Sequence, residues 1–269
     1  MEFDKITAFV RRDFLIESSY RFHFGLRIAR IIVSLLVYYF LSAMVGRLPA
    51  LERMAPGTSY FAFVIIGVAL LEYLVNSLNS LSDMIRQEQT TGTFEAILVS
   101  PTMLTTLIIG EVLWNFIFNS SVIVVYIILA GVFFGLDLSR MNIVLCASVF
   151  ALTTLATLGL GIICAAFIIR LKKGDPLSWC LVMSTALWSG VYYPVDILPP
   201  VMRYISYCIP FTYSVHAFRQ AVLFGADWRQ IAPDLVMLGV FAVVFIPLGI
   251  FIFSAMLKRE KVAASLGHY

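Results

Sequence analysis

The chain has 269 residues, of which 61% are hydrophobic and 13% charged, and its mean hydropathy is +0.93. A soluble domain carries about 25% charged residues, so this composition excludes an ordinary soluble protein and predicts an all-α polytopic membrane protein. The formal net charge of +3 is modest and gives no reason to expect a nucleic-acid partner. The four cysteines have no paired short spacing, so neither a disulfide framework nor a zinc site is indicated.

Residues 1–22 predict an amphipathic helix that lies in the cytoplasmic membrane interface. Phe3, Ile6, Val10 and Phe14 recur at steps of three and four residues, and charged residues occupy the other faces. The alternative is a polar N-terminal tail in which the apolar pattern arises by chance.

A membrane-spanning helix needs about 20 mostly apolar residues. Six stretches predict such spans, at residues 25–45, 60–81, 103–134, 143–169, 177–193 and 235–257. The third stretch is long enough to tilt, and the fifth is short. No internal repeat or soluble second domain interrupts them, so residues 1–269 are expected to form a single transmembrane domain.

The distribution of Lys and Arg predicts the orientation of these spans. With the N-terminus inside, most of the 19 basic residues fall on the cytoplasmic side, including Arg30, Arg86 and Lys258. The outer side receives Arg47, Arg53, Arg140, Arg203, Arg219 and Arg229. We therefore expect both termini in the cytoplasm.

The polar segment 86–101, RQEQTTGTFEAILVSP, lies between the second and third spans on the cytoplasmic side. Gly92 breaks the chain direction, Thr93 is suited to an N-cap, and Glu95 places a carboxylate at the positive end of the helix dipole. Pro101 ends this short helix. Its apolar face predicts a docking surface for a cytoplasmic partner. The residues expected to dock are Arg86, Glu88, Gly92, Thr93, Phe94, Glu95 and Leu98.

Two polar faces run along the second and third spans. They consist of Glu72, Asn76 and Asn79 on one span and Glu111, Asn115 and Asn119 on the other. Glu72 is expected near the middle of the membrane, where a charged group should face protein or water. The two faces either line a substrate path or hold the spans together by interhelical hydrogen bonds.

Aromatic and small residues mark other parts of the spans. Aromatic side chains either offer stacking faces to a substrate or form interfacial belts; the candidates are Tyr38, Tyr39, Trp114, Trp188, Tyr192 and Tyr193. Small residues in the fourth span predict close helix packing and not a site; these are Thr153, Thr154, Thr157, Gly159, Gly161 and Ala165.

Residues 194–225 contain several prolines and many aromatic residues, which divide the segment into pieces too short to span a membrane. We expect two short helices that form a re-entrant hairpin or lie in the outer leaflet. An ordinary extracellular loop is the alternative.

Three kinds of catalytic sequence signal are missing. The chain has no phosphate-binding loop, no G-x-S-x-G elbow and no clustered His or Asp residues. We therefore expect a chain that is not an enzyme by itself and binds no cofactor or metal.

The chain resembles the membrane subunit of type-2 ATP-binding-cassette exporters in two motifs and in the order in which they occur. The first, E-x-x-x-G-T-x-E-x-x-x-x-S-P, is carried by Glu88, Gly92, Thr93, Glu95, Ser100 and Pro101. The second, S-G-x-x-x-P-x-x-x-L-P, is carried by Ser189, Gly190, Pro194, Leu198 and Pro199. A P-x-x-Y-x-x-x-x-x-R run follows, with Pro210, Tyr213 and Arg219. The resemblance covers essentially the whole chain.

The resemblance implies that residues 86–101 form a coupling helix in a cleft of a separate nucleotide-binding subunit, which binds ATP and Mg²⁺. It also implies a second copy of this chain or a related permease, in the cytoplasmic (inner) membrane. A lipid-linked glycan, a lipid or an amphipathic small molecule fits an apolar path whose candidate residues are Glu72, Asn76, Glu111, Asn115, Trp188, Tyr192 and Tyr193. A proton-coupled secondary transporter, with Glu72 and Glu111 as proton carriers, is the alternative function.

Overall fold

The computed structural model describes residues 7–8, 11–12, 14–15, 21–46, 58–92, 104–171 and 176–262. Within these ranges the regular structure is entirely helical, which confirms the predicted all-α class. The helices are α1 (Arg21–Val45), α2 (Tyr60–Thr90), α3 (Leu104–Phe134), α4 (Ile143–Leu171), α5 (Pro176–Trp188), a 3₁₀ turn (Val195–Ile197), α6 (Pro200–Tyr207), α7 (Pro210–Leu223) and α8 (Trp228–Val262).

Five of the described helices are long and apolar enough to cross a membrane, namely α1, α2, α3, α4 and α8. The predicted fifth span, 177–193, is helical only as far as Trp188, and α5 has 13 residues. A helix of that length extends about 20 Å, less than the roughly 30 Å of a bilayer core. The helix ends because Gly190 adopts a left-handed φ of +74°, a conformation that does not continue an α-helix.

Two other helices extend beyond their predicted spans. α2 continues past residue 81 to Thr90, and α8 includes Trp228–Val262 where the sequence predicted 235–257. The added residues are more polar than the spans. They are still helical because the thickness of the membrane limits only the apolar part of a helix, and not the helix itself.

Near the N-terminus, residues 7–8, 11–12 and 14–15 are helical, in agreement with the helix predicted for residues 1–22. The other residues of 1–20 lie outside the described ranges. The Phe14 ring approaches Trp114 of α3 edge-on, with 6.3 Å between centroids. The interfacial position of this helix stays a prediction.

α4 is the central helix, and it packs against α8, α2 and α7. Its closest approach to α8 occurs where both helices carry glycine. A Cβ on Gly159 would lie 2.3 Å from the carbonyl carbon of Phe245, and a Cβ on Gly249 would lie 2.7 Å from the Gly159 oxygen. The backbones of α4 and α8 therefore touch, which confirms the close packing predicted from the small residues of the fourth span.

The segment after α5 lies at the end of the bundle where α2 begins, which we call the outer end because the basic residues predict it to be outside. α7 is buried over most of its surface against α4, α8 and α2. α6 is amphipathic, since Ser206 is buried while Val201 and Tyr204 are exposed. Both predicted short helices are present; whether they form a re-entrant hairpin stays a prediction.

Replacing Gly159 with alanine should destabilise the bundle, because the new methyl group would overlap the α8 backbone. Overpacking of this kind costs about 1–3 kcal/mol. The matched control is Gly239→Ala in α8, where a Cβ would meet nothing within 4 Å. Thermal unfolding of the purified protein should show a lower Tm for Gly159→Ala and no loss for Gly239→Ala. Equal Tm values would contradict the packing described above.

Candidate functional site

The predicted polar faces of the second and third spans meet in the structure. Asn76 of α2 donates to the Asn119 side-chain oxygen of α3 at 3.1 Å. Asn119 donates to the Asn115 oxygen at 3.1 Å, and Asn115 donates to Glu111 Oε1 at 2.8 Å. We call these four residues the polar ladder. Asn119 is buried, and its bond with Asn76 joins α2 to α3, whereas the other two bonds lie within α3.

Glu72, one turn before Asn76 on α2, forms an ion pair with α1. Its Oε2 atom accepts a hydrogen bond from Arg30 Nη2 at 3.3 Å. Arg30 lies near the start of the membrane-length helix Phe24–Val45, as it does in the predicted span 25–45. The two side chains are 58% and 22% exposed, respectively, on this chain. An ion pair within a membrane span would need cover by protein or water.

Other polar side chains of α2 bond to α4 and α5. The Tyr73 hydroxyl donates to Thr154 Oγ1 of α4 at 2.8 Å. Ser178 of α5 donates to the side-chain oxygen of Asn79 at 2.6 Å. Polar groups on α2 therefore connect it to α1, α3, α4 and α5.

At the outer end, Arg219 of α7 joins three parts of the chain. Its Nε donates to the Phe63 carbonyl at 3.0 Å, Nη1 to the Gly190 carbonyl at 2.8 Å and Nη2 to the Val191 carbonyl at 2.8 Å. The guanidinium carbon also lies 3.4 Å from the centroid of the Phe63 ring. We call this arrangement the outer clamp. It holds the turn after α5 against the first turn of α2.

The sequence treated Arg219 as one of several basic residues on the outer side, and as part of a motif. The structure shows that it is buried, with 8% of its surface exposed. The sequence feature that could have indicated this burial is a single arginine within the otherwise weakly charged helix Pro210–Leu223. A charge in such a position usually has a specific set of hydrogen-bond partners.

The aromatic candidates lie beside the outer clamp. The Tyr60 hydroxyl donates to the Tyr192 carbonyl at 3.0 Å, and the Tyr192 ring stacks on Tyr38 with 6.3 Å between centroids. The Tyr193 hydroxyl donates to the Leu187 carbonyl. Trp188 is the last residue of α5. Glu72 lies 12 residues, or about 18 Å, along α2 from Tyr60.

The predicted docking segment is described in part. Arg86 lies within α2, 3.9 Å from the Asp83 carboxylate, and α2 continues through Glu88 to Thr90. The chain then turns at Gly92, whose φ of +73° agrees with the predicted break in chain direction. The remaining docking residues lie outside the described ranges; they are Thr93, Phe94, Glu95 and Leu98.

A cavity of about 340 Å³ opens at the outer end between α7, the turn after α5 and the start of α8. His216 Nδ1 lies 2.7 Å from Asp234 Oδ2 at its wall. The hydrogen bond to Asp234 raises the pKa of His216, so the imidazole stays protonated to higher pH than an isolated histidine. Nothing in the sequence indicated that these residues form a pair, because they are 18 positions apart and lie on different helices.

No group of three or more His, Cys, Asp or Glu side chains in the described ranges could hold a metal ion. A family model described as ABC-2 type transporter matches residues 4–223, which include α1 to α7 and the docking segment. No curated protein matches the chain.

The polar ladder should show measurable coupling between Asn76 and Asn119. A double-mutant cycle with Asn76→Ala and Asn119→Ala should give an interaction free energy of about 0.6 kcal/mol, and at most about 1.7, as for other interhelical hydrogen bonds in membranes. The measurement is the free energy of unfolding in mild detergent. Asn142→Ala is the control for the second site, because Asn142 bonds to the α4 backbone, and its coupling to Asn76 should be near zero. Equal coupling in both cycles would contradict the ladder.

Proposed function

The chain belongs to the ABC-2 type transporter family, and from this premise we propose that it is the permease subunit of an ATP-driven exporter. Its cargo would be a lipid-linked glycan, a lipid or an amphipathic small molecule that leaves the cytoplasm. The family match over residues 4–223 is the observation that carries this proposal, and the membrane-length helices are consistent with it. The match favours ATP as the energy source, and nothing in the described residues favours the proton-coupled alternative.

The energy would come from a separate ATPase subunit that binds ATP and Mg²⁺ and docks on residues 86–101. Two features support this route. α2 is one continuous helix from Tyr60 to Thr90, so its end and its membrane-spanning part move together. The polar ladder ties α2 to α3, and these two helices flank the docking segment. A displacement of that segment would therefore move both helices as a pair.

The membrane part of the exporter would contain a second copy of this chain or a related permease. The charged Arg30 side chain supports this, since it is 58% exposed within a membrane-length helix. Exposure of such a charge to lipid is costly, whereas a second subunit or a water-filled path beside α1 would cover it. We place the cargo path along this face, with Glu72 inside it.

Within this arrangement the candidate path residues divide into two groups. Asn76 joins α2 to α3 through its bond with Asn119, and Asn115 and Glu111 continue the polar ladder along α3. Trp188, Tyr192 and Tyr193 would form the outer end of the path, where aromatic faces can stack on a sugar or a lipid headgroup.

The protein is a multi-pass membrane protein, and we place it in the cytoplasmic (inner) membrane with both termini in the cytoplasm. The bias of Lys and Arg toward one side of the spans supports this orientation. Cytoplasmic termini put residues 86–101 on the side where ATP is available.

Docking can be tested by reversing a charge in the docking segment. Glu95→Arg should abolish co-purification with the ATPase subunit or uncouple its ATP hydrolysis, because it places a cation at the positive end of a helix dipole. Asp137→Arg is the matched control, since Asp137 is an exposed acid between α3 and α4 on the outer side. It should co-purify as the wild type does. A Glu95→Arg complex with normal composition and normal ATP hydrolysis would refute docking at this segment.

The role of Glu72 can be tested with Glu72→Gln and the double variant Arg30→Gln/Glu72→Gln. If Glu72 lines the path, both variants should assemble with the ATPase and lose at least tenfold in ATP-dependent efflux of a fluorescent short-chain phospholipid from proteoliposomes. The double variant is the control for stability, because it leaves no unpaired charge. Efflux at the wild-type rate, or recovery of efflux in the double variant, would show that the pair is structural only.

A further inference from the structure

We propose that the outer cavity binds a phosphate group, with Arg219 and Ser189 as its hydrogen-bond donors. This site goes beyond the transport function and does not depend on it. The cavity has a volume of about 340 Å³, so it has room for a ligand larger than the phosphate itself. Both donors line its wall.

The first observation is the uncompensated charge of Arg219. Within the described part of the chain, its hydrogen-bond partners are the three backbone carbonyls of the outer clamp; the Phe63 ring lies against one face, and no carboxylate forms an ion pair with it. A guanidinium has five N–H groups, so two remain beyond these bonds. A buried positive charge without a counter-ion is unfavourable, and an anion at this position would offset it.

The second observation is the hydroxyl group of Ser189. This side chain is 1% exposed, and its Oγ has no hydrogen-bond partner among the described residues. Buried hydroxyl groups are nearly always hydrogen-bonded. Ser189 precedes Gly190, whose carbonyl is held by Arg219, so the free hydroxyl and the guanidinium belong to the same side of the cavity.

The two carboxylates on the cavity wall do not cancel this charge. Asp234 accepts a hydrogen bond from His216 at 2.7 Å, and the raised pKa of His216 favours the imidazolium that neutralises it. Asp196 is exposed at the rim, and Arg203 donates to its backbone carbonyl. The interior of the cavity therefore keeps the positive charge of Arg219.

The phosphate group can come from a lipid headgroup or from a water-soluble compound. Tyr207 of α6 lines the cavity, and α6 exposes the apolar side chains Val201 and Tyr204 next to it. An amphipathic helix of this kind lies at the level of lipid headgroups. The experiment must therefore separate the two sources.

Binding is measured by isothermal titration calorimetry on the full-length protein in dodecyl maltoside, a phosphate-free detergent. The lipid probe is 1,2-dihexanoyl-sn-glycerol 3-phosphate, and its neutral match is 1,2-dihexanoyl-sn-glycerol. The soluble probes are inorganic phosphate and glycerol 3-phosphate. Ser189→Ala removes the free hydroxyl without breaking a bond in the described structure. Ser148→Ala is its control, because Ser148 bonds to the α4 backbone away from the cavity wall.

We expect saturable binding of the phosphate lipid and none of its neutral match. Ser189→Ala should weaken binding about tenfold, the effect of one hydrogen bond to a charged group, and Ser148→Ala should leave binding unchanged. Comparable affinity for the soluble probes would identify a solute as the source, and binding of the lipid alone would identify a headgroup. The proposal is overturned if no phosphate probe saturates the wild type, if the neutral diacylglycerol binds equally, or if Ser189→Ala binds like the wild type.

Discussion

The buried guanidinium of Arg219 is the constraint on which the outer half of the structure depends. It must be hydrogen-bonded, and the carbonyls it uses come from the first turn of α2 and from the turn after α5. These can converge only because Gly67 has no side chain: a Cβ there would lie 2.6 Å from the Val191 oxygen and 2.7 Å from Arg219 Nη2. This one side chain thereby joins α7 and the turn after α5 to the first turn of α2.

Hydrogen bonds between helices matter in this protein because contacts between apolar helix surfaces do little to fix the position of one helix along another. In a bilayer, lipid tails are as apolar as leucine, so helix association depends on close packing and on hydrogen bonds. Two arrangements supply these. Glycine contacts bring α4 and α8 together at the backbone, around Gly159 and Gly249. Polar side chains of α2 select its neighbours one at a time, as Asn76 does with Asn119 and Tyr73 with Thr154.

The sequence predicted the parts of the fold that depend on local composition. Hydropathy located the five membrane-length helices, whereas the polar faces containing Asn76 and Asn119 left open whether they line a path or bond the helices to each other. The sequence prediction failed where a backbone conformation sets the end of a helix. Tyr192 and Tyr193 continue the apolar pattern of the fifth predicted span, but the helix has already ended before Gly190. The prediction also could not join Arg219 to Phe63, because 156 residues separate them and no pattern encodes that contact. The outer cavity was missed for the same reason.

α2 carries the Phe63 carbonyl of the outer clamp near one end and residues Arg86–Thr90 at the other. Phe63 and Thr90 are 27 residues apart on this helix, or about 40 Å at its rise per residue. Because α2 is one continuous helix, a displacement of one end is carried to the other, which couples events at the two ends. By thermodynamic linkage, the free energy with which an event at one end biases the other is the same in reverse. A ligand bound at the outer end of α2 would therefore change the free energy of binding at the other end of the helix, on the opposite side of the membrane.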